Sequence, residues 1–356
     1  MIRYSAPLLL LGFIPLSLAA AIGHWGALAL CLTSAIAILG LSIWVSMATE
    51  KVAIVTGPSV GGVMNAVFGN ATQLIVALTA LRAGLIDIVK ASITGSILSD
   101  LLLFLGLAML IGGLRYKEQE FQPILARVNG SSMTIAISAI ALPTLVIYTS
   151  NVVDPIAIRN LSVVVAGVLI VVYGLTLVFS LKTHSYLYDV GLAIDRPEEP
   201  EETPSLAMWI TILLVATVLV AIESEMFVDV VETVTERFGL TPLFTGVIFL
   251  PLIGDIAGVV TVGRLAVKNQ MDLTVATAMG DSLLIALFMA PVLVLVGLSL
   301  GQPIDLNFNP FEVVALAIAI TVTNLISFNG RSNWLDGSLL LATYIVLGVA
   351  FYYHPA

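Results

Sequence analysis

Asn70, Gln73, Asp100, Asp255 and Asp281 stand inside apolar stretches long enough to cross a membrane. Counting along those stretches puts Asn70 and Gln73 near the middle of one, and Asp100 near the middle of the next. Asp255 falls near the middle of a later stretch and Asp281 in the first half of its successor. An acid at bilayer depth costs about 2.5–3.5 kcal/mol on insertion scales, so it is expected to face a cavity or a partner. Carboxylates and amide oxygens are hard ligands that suit calcium or a smaller hard cation, not zinc or copper. Gly69, Gly254 and Gly258, with Pro251 just before, are expected to loosen the helices there and free backbone carbonyls as further ligands. Ser96, one turn from Asp100, offers a hydroxyl to the same set or to its own helix backbone. The acids can also carry protons. A site that holds either a cation or protons, and must hold something before it reorients, is an obligatory exchanger.

Polar residues at depth also serve as helix–helix glue, each contributing under about 1–2 kcal/mol, and that reading is preferred for Asn65 and Asn324. Glu223 and Glu225, near the end of the seventh apolar run, read as an interfacial or access feature, with Glu225 the better candidate for a proton or cation path. Glu312 falls in the first turn of its helix, where an acid is ordinary. Arg264 is expected to snorkel to the interface. His184 sits in a loop, with pH sensing as the lesser alternative to simple solvation.

The elements that must position these residues follow from composition. Of 356 residues 59% are hydrophobic and 10% charged, and the mean hydropathy is +1.08. An average soluble domain is about 25% charged, so the chain reads as an all-α polytopic membrane protein. Runs of about 18 or more apolar residues give about eleven candidate spans. They lie near residues 5–23, 26–46, 57–82, 87–113, 131–149, 159–181, 206–227, 240–266, 272–299, 310–328 and 335–353. The first run, Ala6–Gly23, is preferred as a span over a cleaved leader. Residues 1–24 form an N-terminal helix, 25–188 a first half, 189–204 a proline-rich acidic linker, and 205–356 a second half. Alternating the spans puts ten basic residues on the side of the N-terminus and linker and four on the other, so that side is expected to be cytoplasmic. The net charge of −9 and the lack of a basic stripe argue against a nucleic-acid partner. The single cysteine, Cys31, excludes an intrachain disulfide and a thiolate cluster.

An internal repeat links the two halves. Setting Gly69 against Gly254, an offset of 185 residues, also sets Gly61 on Gly246, Asp87 on Asp272, Ala91 on Ala276, Gly95 on Gly280 and Leu98 on Leu283, without a gap. Asn70 meets Asp255. The copies, within 57–113 and 240–299, begin on the third and eighth spans. Five spans apart is an odd number, so they enter the membrane from opposite sides. That is the inverted repeat of secondary transporters, whose site lies near the midplane where broken helices meet.

The stretches GGVMNAVFGNATQLI (61–75), VKASITGSILSDLLLFLGLAMLIGGLRYKEQEF (89–121), YGLTLVFSLKTHSYLY (173–188), GLTPLFTGVIFLPLIGDIAG (239–258), AVKNQMDLTVATAMGDSLLIALFMAP (266–291) and the run from Phe311 to Pro355 resemble the calcium/proton exchanger branch of the cation/calcium exchanger superfamily. The resemblance spans nearly the whole chain. It implies one N-terminal helix, two inverted five-helix repeats and an acidic segment between them. It also implies alternating-access movement of calcium against protons. Departures from the pattern cluster at the site. The family carries glutamate where this chain has Gln73 and Gly258, and histidine where it has Val259. Asp100 and Asp255 stand where the family usually has asparagine, and Asp281 where it has serine. Two acids are lost and three gained, as in a site rebuilt with displaced carboxylates. Related sodium/calcium exchangers can also carry an acid at the place of Asp100. An oxygen set of Asp100, Asp255, Asn70 and Gln73, with carbonyls and water, would approach the 6–8 ligands calcium takes.

The leading expectation is a cation/proton antiporter with calcium as the default transported ion and no cofactor. The alternatives are a related exchanger of altered coupling or selectivity (sodium, potassium, magnesium or manganese) and a non-transporting membrane scaffold or sensor. An enzyme is disfavoured, because no nucleophile–histidine set or paired metal ligands of an active site stand at depth.

Overall fold

The computed structural model describes residues 7–57, 61, 64, 67–150, 154–185 and 205–354. Asn65 and the linker 189–204 lie outside the described residues. Helices follow the apolar runs: α1 (Pro7–Ile22), α2 (Ala27–Thr56), α3 (Ala71–Arg82), α4 (Ile86–Tyr116), α5 (Pro123–Ser150) and α6 (Pro155–Thr183) in the first half. The second half holds α7 (Leu206–Arg237), α8 (Pro242–Gly254), α9 (Ile256–Val267), α10 (Met271–Leu300), α11 (Pro310–Ser327) and α12 (Trp334–Tyr353). Among the described residues eight of these are long and apolar enough to span, and α8 with α9, bent by 61°, makes up to nine. The shorter α1 and α3 lie where the first and third spans were expected, so the full count of eleven does not follow from helix length alone.

Two short strands, β1 (Glu118–Glu120) and β2 (Arg331–Asn333), pair antiparallel outside the helices. They bring the loop after α4 to the loop before α12. Tyr116 donates to Val267 O at 2.7 Å, and Gln119 donates to Ala266 O at 2.9 Å. The end of α9 therefore shares that side. Helices α5, α6, α7 and the bent pair lie between these contacts, so the pair must cross once to bring the chain back. On the opposite side Lys90, at the start of α4, pairs with Asp305 and donates to Asn307 O at 2.9 Å. Helix α3 thus ends on the Lys90 side and α9 on the Gln119 side, so the two repeat copies run in opposite directions.

The repeat register is kept residue by residue. At the same offset of 185 Ala71–Arg82 falls on Ile256–Val267, the observed bounds of α3 and α9. Helices α4 and α10 each contain a π-helical turn, Ser99–Phe104 and Ile285–Met289, and Phe104 falls on Met289. Such turns insert a residue into the helical register and re-aim the side chains beyond it. These two helices are also the most enclosed of the long spans, with 72% and 61% of an apolar 18-residue stretch buried against 17% for α6. Apolar burial cannot by itself hold helices together in lipid, so close backbone contact matters more. A Cβ on Gly95 of α4 would strike the backbone of Val247 in α8, and one on Gly246 would strike Ala91 Cβ and come within 2.6 Å of Ile88 O.

Helix ends at the membrane faces are capped in the ordinary way. Asn309 and Glu312 form a reciprocal capping box at α11, with Glu312 Oε2 accepting from Asn309 N at 2.9 Å. Asn333 and Asp336 do the same at α12. Asn324 donates to Thr134 Oγ1 at 3.3 Å and ties α11 to α5.

Candidate functional site

Two helix breaks meet in the interior. Asn70 (φ −112°, ψ 26°) precedes α3, and its repeat partner Asp255 (φ −130°, ψ 30°) precedes α9 in nearly the same conformation. Neither angle pair is helical, which interrupts the i→i−4 ladder and frees backbone groups at mid-membrane. Asp255 caps α9, with its Oδ1 accepting from Gly258 N at 3.3 Å. The two breaks touch. A Cβ on Gly254 would lie 3.4 Å from Gln73 Cα and 3.5 Å from its Cβ and Cγ.

Asp100 reaches this junction from the π-helical turn of α4. It is 1% exposed, and its Oδ2 accepts from Ser282 at 3.2 Å. Its carboxyl lies against that of Asp255, within hydrogen-bond reach when one of them carries a proton. With both ionised, Asp255 Oδ2 has no donor. Asp281 approaches on α10, accepting from Asn70 Nδ2 at 3.5 Å. Gln73 donates to Ser96, which in turn donates to Ser92 O at 2.7 Å. The Gln73 Oε1 atom is buried without a donor. A small cavity lined by Gln73, Val76, Ala77, Ser92, Ser96, Leu250 and Gly254 lies beside it.

The sequence-derived set therefore falls into one place. Asn70, Gln73, Ser96, Asp100 and Asp255 are buried, while Asp281 is only partly so. Gly280 beside Asp281 has open space where a side chain would go. Gly69, Gly254 and Gly258 lie at or within one turn of the two breaks. Among the described residues no three acidic, histidine or cysteine side chains are gathered tightly enough to hold a metal ion alone. A cation here would need amide, hydroxyl or backbone oxygens besides the aspartates, and the orphaned Gln73 Oε1 and Asp255 Oδ2 are such atoms.

Glu223 and Glu225 stand apart from this group. Glu223 is 1% exposed and accepts from Ser17 of α1 at 2.7 Å. Glu225 is exposed and pairs with Arg82 at 3.5 Å. Arg264 is exposed near the end of α9, and His184 stacks on Phe179 just past α6. Two neighbours of the acids escaped the sequence reading. Ser282 adjoins Asp281, and the polar pair was a signal in itself. Tyr173 of α6 lies beside Asp281 and packs on Phe288 at 5.3 Å. Nothing in the sequence near Tyr173 points to that contact.

The displaced-carboxylate pattern has a geometric form. A Cβ on Gly258 would lie 2.8 Å and 2.9 Å from the two carboxylate oxygens of Asp255. The Asp255 carboxyl thus folds back over the backbone position at which the resembling family roots its glutamate.

Comparison with known proteins agrees with this architecture. The family model for sodium/calcium exchanger proteins matches residues 26–182 and 208–353. A Ca(2+)/H(+) antiporter of Aphanothece halophytica is 55% identical, over 97% of this chain and 96% of that protein. A Ca(2+)/H(+) antiporter of Synechocystis is 52% identical, over 98% and 97%. The solved structure of native YfkE superposes with a TM-score of 0.84 at 34% identity, covering 98% of this chain and 99% of that one.

Proposed function

Since this chain belongs to the sodium/calcium exchanger protein family, we propose that it is a secondary active calcium/proton antiporter whose cation and protons compete for Asp100, Asp255 and Asp281. The observation that carries the reading is the meeting of Asp100 and Asp255, from opposite repeat copies, as a buried carboxyl pair deep in the membrane. Two carboxylates in contact are unfavourable unless a proton or a cation stands between them. When empty, the pair resists burial, which ties reorientation to occupancy. When protonated, the carboxyls satisfy each other and the pocket closes. When a divalent cation replaces the protons, Asn70 and Gln73 turn amide oxygens toward it, and carbonyls freed at the two breaks complete the shell. Asp281, partly exposed beside open space, is the acid through which ions and protons pass to the side of the linker. The excess of basic residues on that side makes it the cytoplasm, with the N-terminus there as well.

The test is proton flux in proteoliposomes challenged in turn with calcium, magnesium, manganese, sodium and potassium. Calcium-driven proton release above that of the other four is expected. Equal silence to all five would refute exchange and leave a membrane scaffold. A second reading, altered ion selectivity, is favoured by Gln73 and Gly258 at places where the resembling family has acids. A preferred ion other than calcium in the same assay would establish it.

The displaced carboxylate supports a reciprocal experiment. Gly258→Glu alone is expected to impair calcium-driven flux, because its Cβ meets the Asp255 carboxylate at 2.8 Å. Adding Asp255→Asn keeps the side-chain volume but removes the charge repulsion between the two carboxylates, and returns the acid to position 258. The double variant is expected to outperform either single one, a coupling of about 0.5–3 kcal/mol. Losses that simply add would show that the two positions do not share a site.

A further inference from the structure

A groove separate from the acid cluster opens elsewhere on the molecule. It lies on the outer wall between α5 and α6, toward the end where the linker leaves, with a volume of about 540 Å³. Ligand sites for small molecules run to roughly 300–1,000 Å³, so the space suits a molecule and not a single ion. Its lining is divided. Arg127, Ser131 and Thr176 supply polar groups, while Val172, Leu175 and Phe179 supply an apolar wall. Among the described residues Arg127 has no carboxylate partner, and its guanidinium rests over the Phe328 ring at 5.0 Å. A guanidinium over a ring face gains from the ring's negative face and still carries N–H groups that can donate. Lys182, three residues beyond Phe179 in the chain, is exposed and adds a second positive charge at this end of α6. Among the described residues no acid lines the groove. Its apolar side is continuous with helix faces that can only meet acyl chains, since Val171 is 62% exposed and Leu175 63%.

We propose that this groove binds an anionic phospholipid of the leaflet on the linker side, with its phosphate on Arg127 and an acyl chain along Val172, Leu175 and Phe179. Charge complementarity selects an anion. The opening into the hydrocarbon region selects one that carries an acyl chain over a soluble phosphate. Basic pockets between helices at a membrane face recognise lipid headgroups by the same physics. The occupant also fills the side of α6, the least enclosed of the long helices at 17%.

The test is native mass spectrometry of the full chain, equilibrated with equal amounts of phosphatidylglycerol and phosphatidylcholine. Preferential retention of phosphatidylglycerol is expected, with no displacement by glycerol 3-phosphate. Arg127→Gln should reduce the preference about fivefold, the effect of one basic residue at a membrane surface. Arg159→Gln, at the opposite end of α6, should leave it unchanged. Val172→Trp fills the apolar half, keeps the charge and should lower retention of the lipid, so it carries the test should the arginine variant fail to fold. Equal retention of the two lipids by the unaltered protein, or an unchanged preference in folded Arg127→Gln, overturns the proposal. Displacement by glycerol 3-phosphate would show a soluble-anion site instead. None of these readouts depends on ion exchange, so the result is independent of the antiporter reading.

Discussion

Asp255→Asn is expected to abolish calcium-driven proton release from proteoliposomes while leaving the protein folded. The fold tolerates the change because Asn70 already occupies the equivalent break of the other repeat copy, with φ and ψ within about 20° of those at Asp255. An asparagine oxygen can still accept from Gly258 N, so the cap on α9 survives. What disappears is one negative charge from the pair with Asp100 and one group that can take up a proton. Removing one partner from a buried charged contact costs about 2–5 kcal/mol, or about 30-fold to several thousand-fold in cation affinity. Proton uptake at that position is lost altogether. The checks are calcium-dependent flux and the thermal midpoint of the purified protein. Flux at the unaltered level in a folded variant would remove Asp255 from the mechanism.

Gly95→Ala is expected to lower the thermal midpoint sharply and abolish transport, whereas Gly280→Ala is expected to leave the midpoint unchanged or raised. The two glycines are partners at the 185-residue offset, yet their surroundings differ. A methyl on Gly95 strikes backbone atoms of Val247, which cannot swing aside. A methyl on Gly280 meets nothing within 4 Å. Alanine is intrinsically favoured over glycine in a helix by about 1 kcal/mol. At Gly280 that term acts alone. At Gly95 it is outweighed by overpacking, typically about 1–3 kcal/mol and more where a backbone is the obstacle. Separation of α4 from α8 would also part Asp100 from Asp255, since these helices deliver the two acids. Thermal melts of both variants decide the matter, and equal shifts would contradict the close crossing.

Much of the architecture was legible in the sequence because it rests on local properties. Hydropathy marks each helix through the residues it contains, without reference to neighbours. The ungapped register from Gly69 to Gly254 placed α3 and α9 on each other to the residue, because a repeat is a property of order along the chain. The depth of Asp100 and Asp255 followed from counting, and the insertion cost of an acid required each to have a partner. What counting did not reveal was which face each side chain would present. Asp100 lies within a π-helical turn, where the inserted residue breaks the 3.6-residue period on which facing arguments depend.

The sequence by itself determined that this is a membrane protein of two inverted copies, with oxygen ligands and acids set into its apolar core. Only the tertiary structure decided that Asp100 meets Asp255, that Ser282 bonds Asp100, that Tyr173 stands beside Asp281, and that Glu223 turns away to Ser17. It also decided that Gly95 is jammed while Gly280 stands free. The physical reason is that apolar periodicity sets a helix in the membrane, but its rotation and closeness to a neighbour come from interdigitated surfaces distant in the chain. In lipid those surfaces are chosen by small residues and polar contacts, whose fit exists only once both helices are in place.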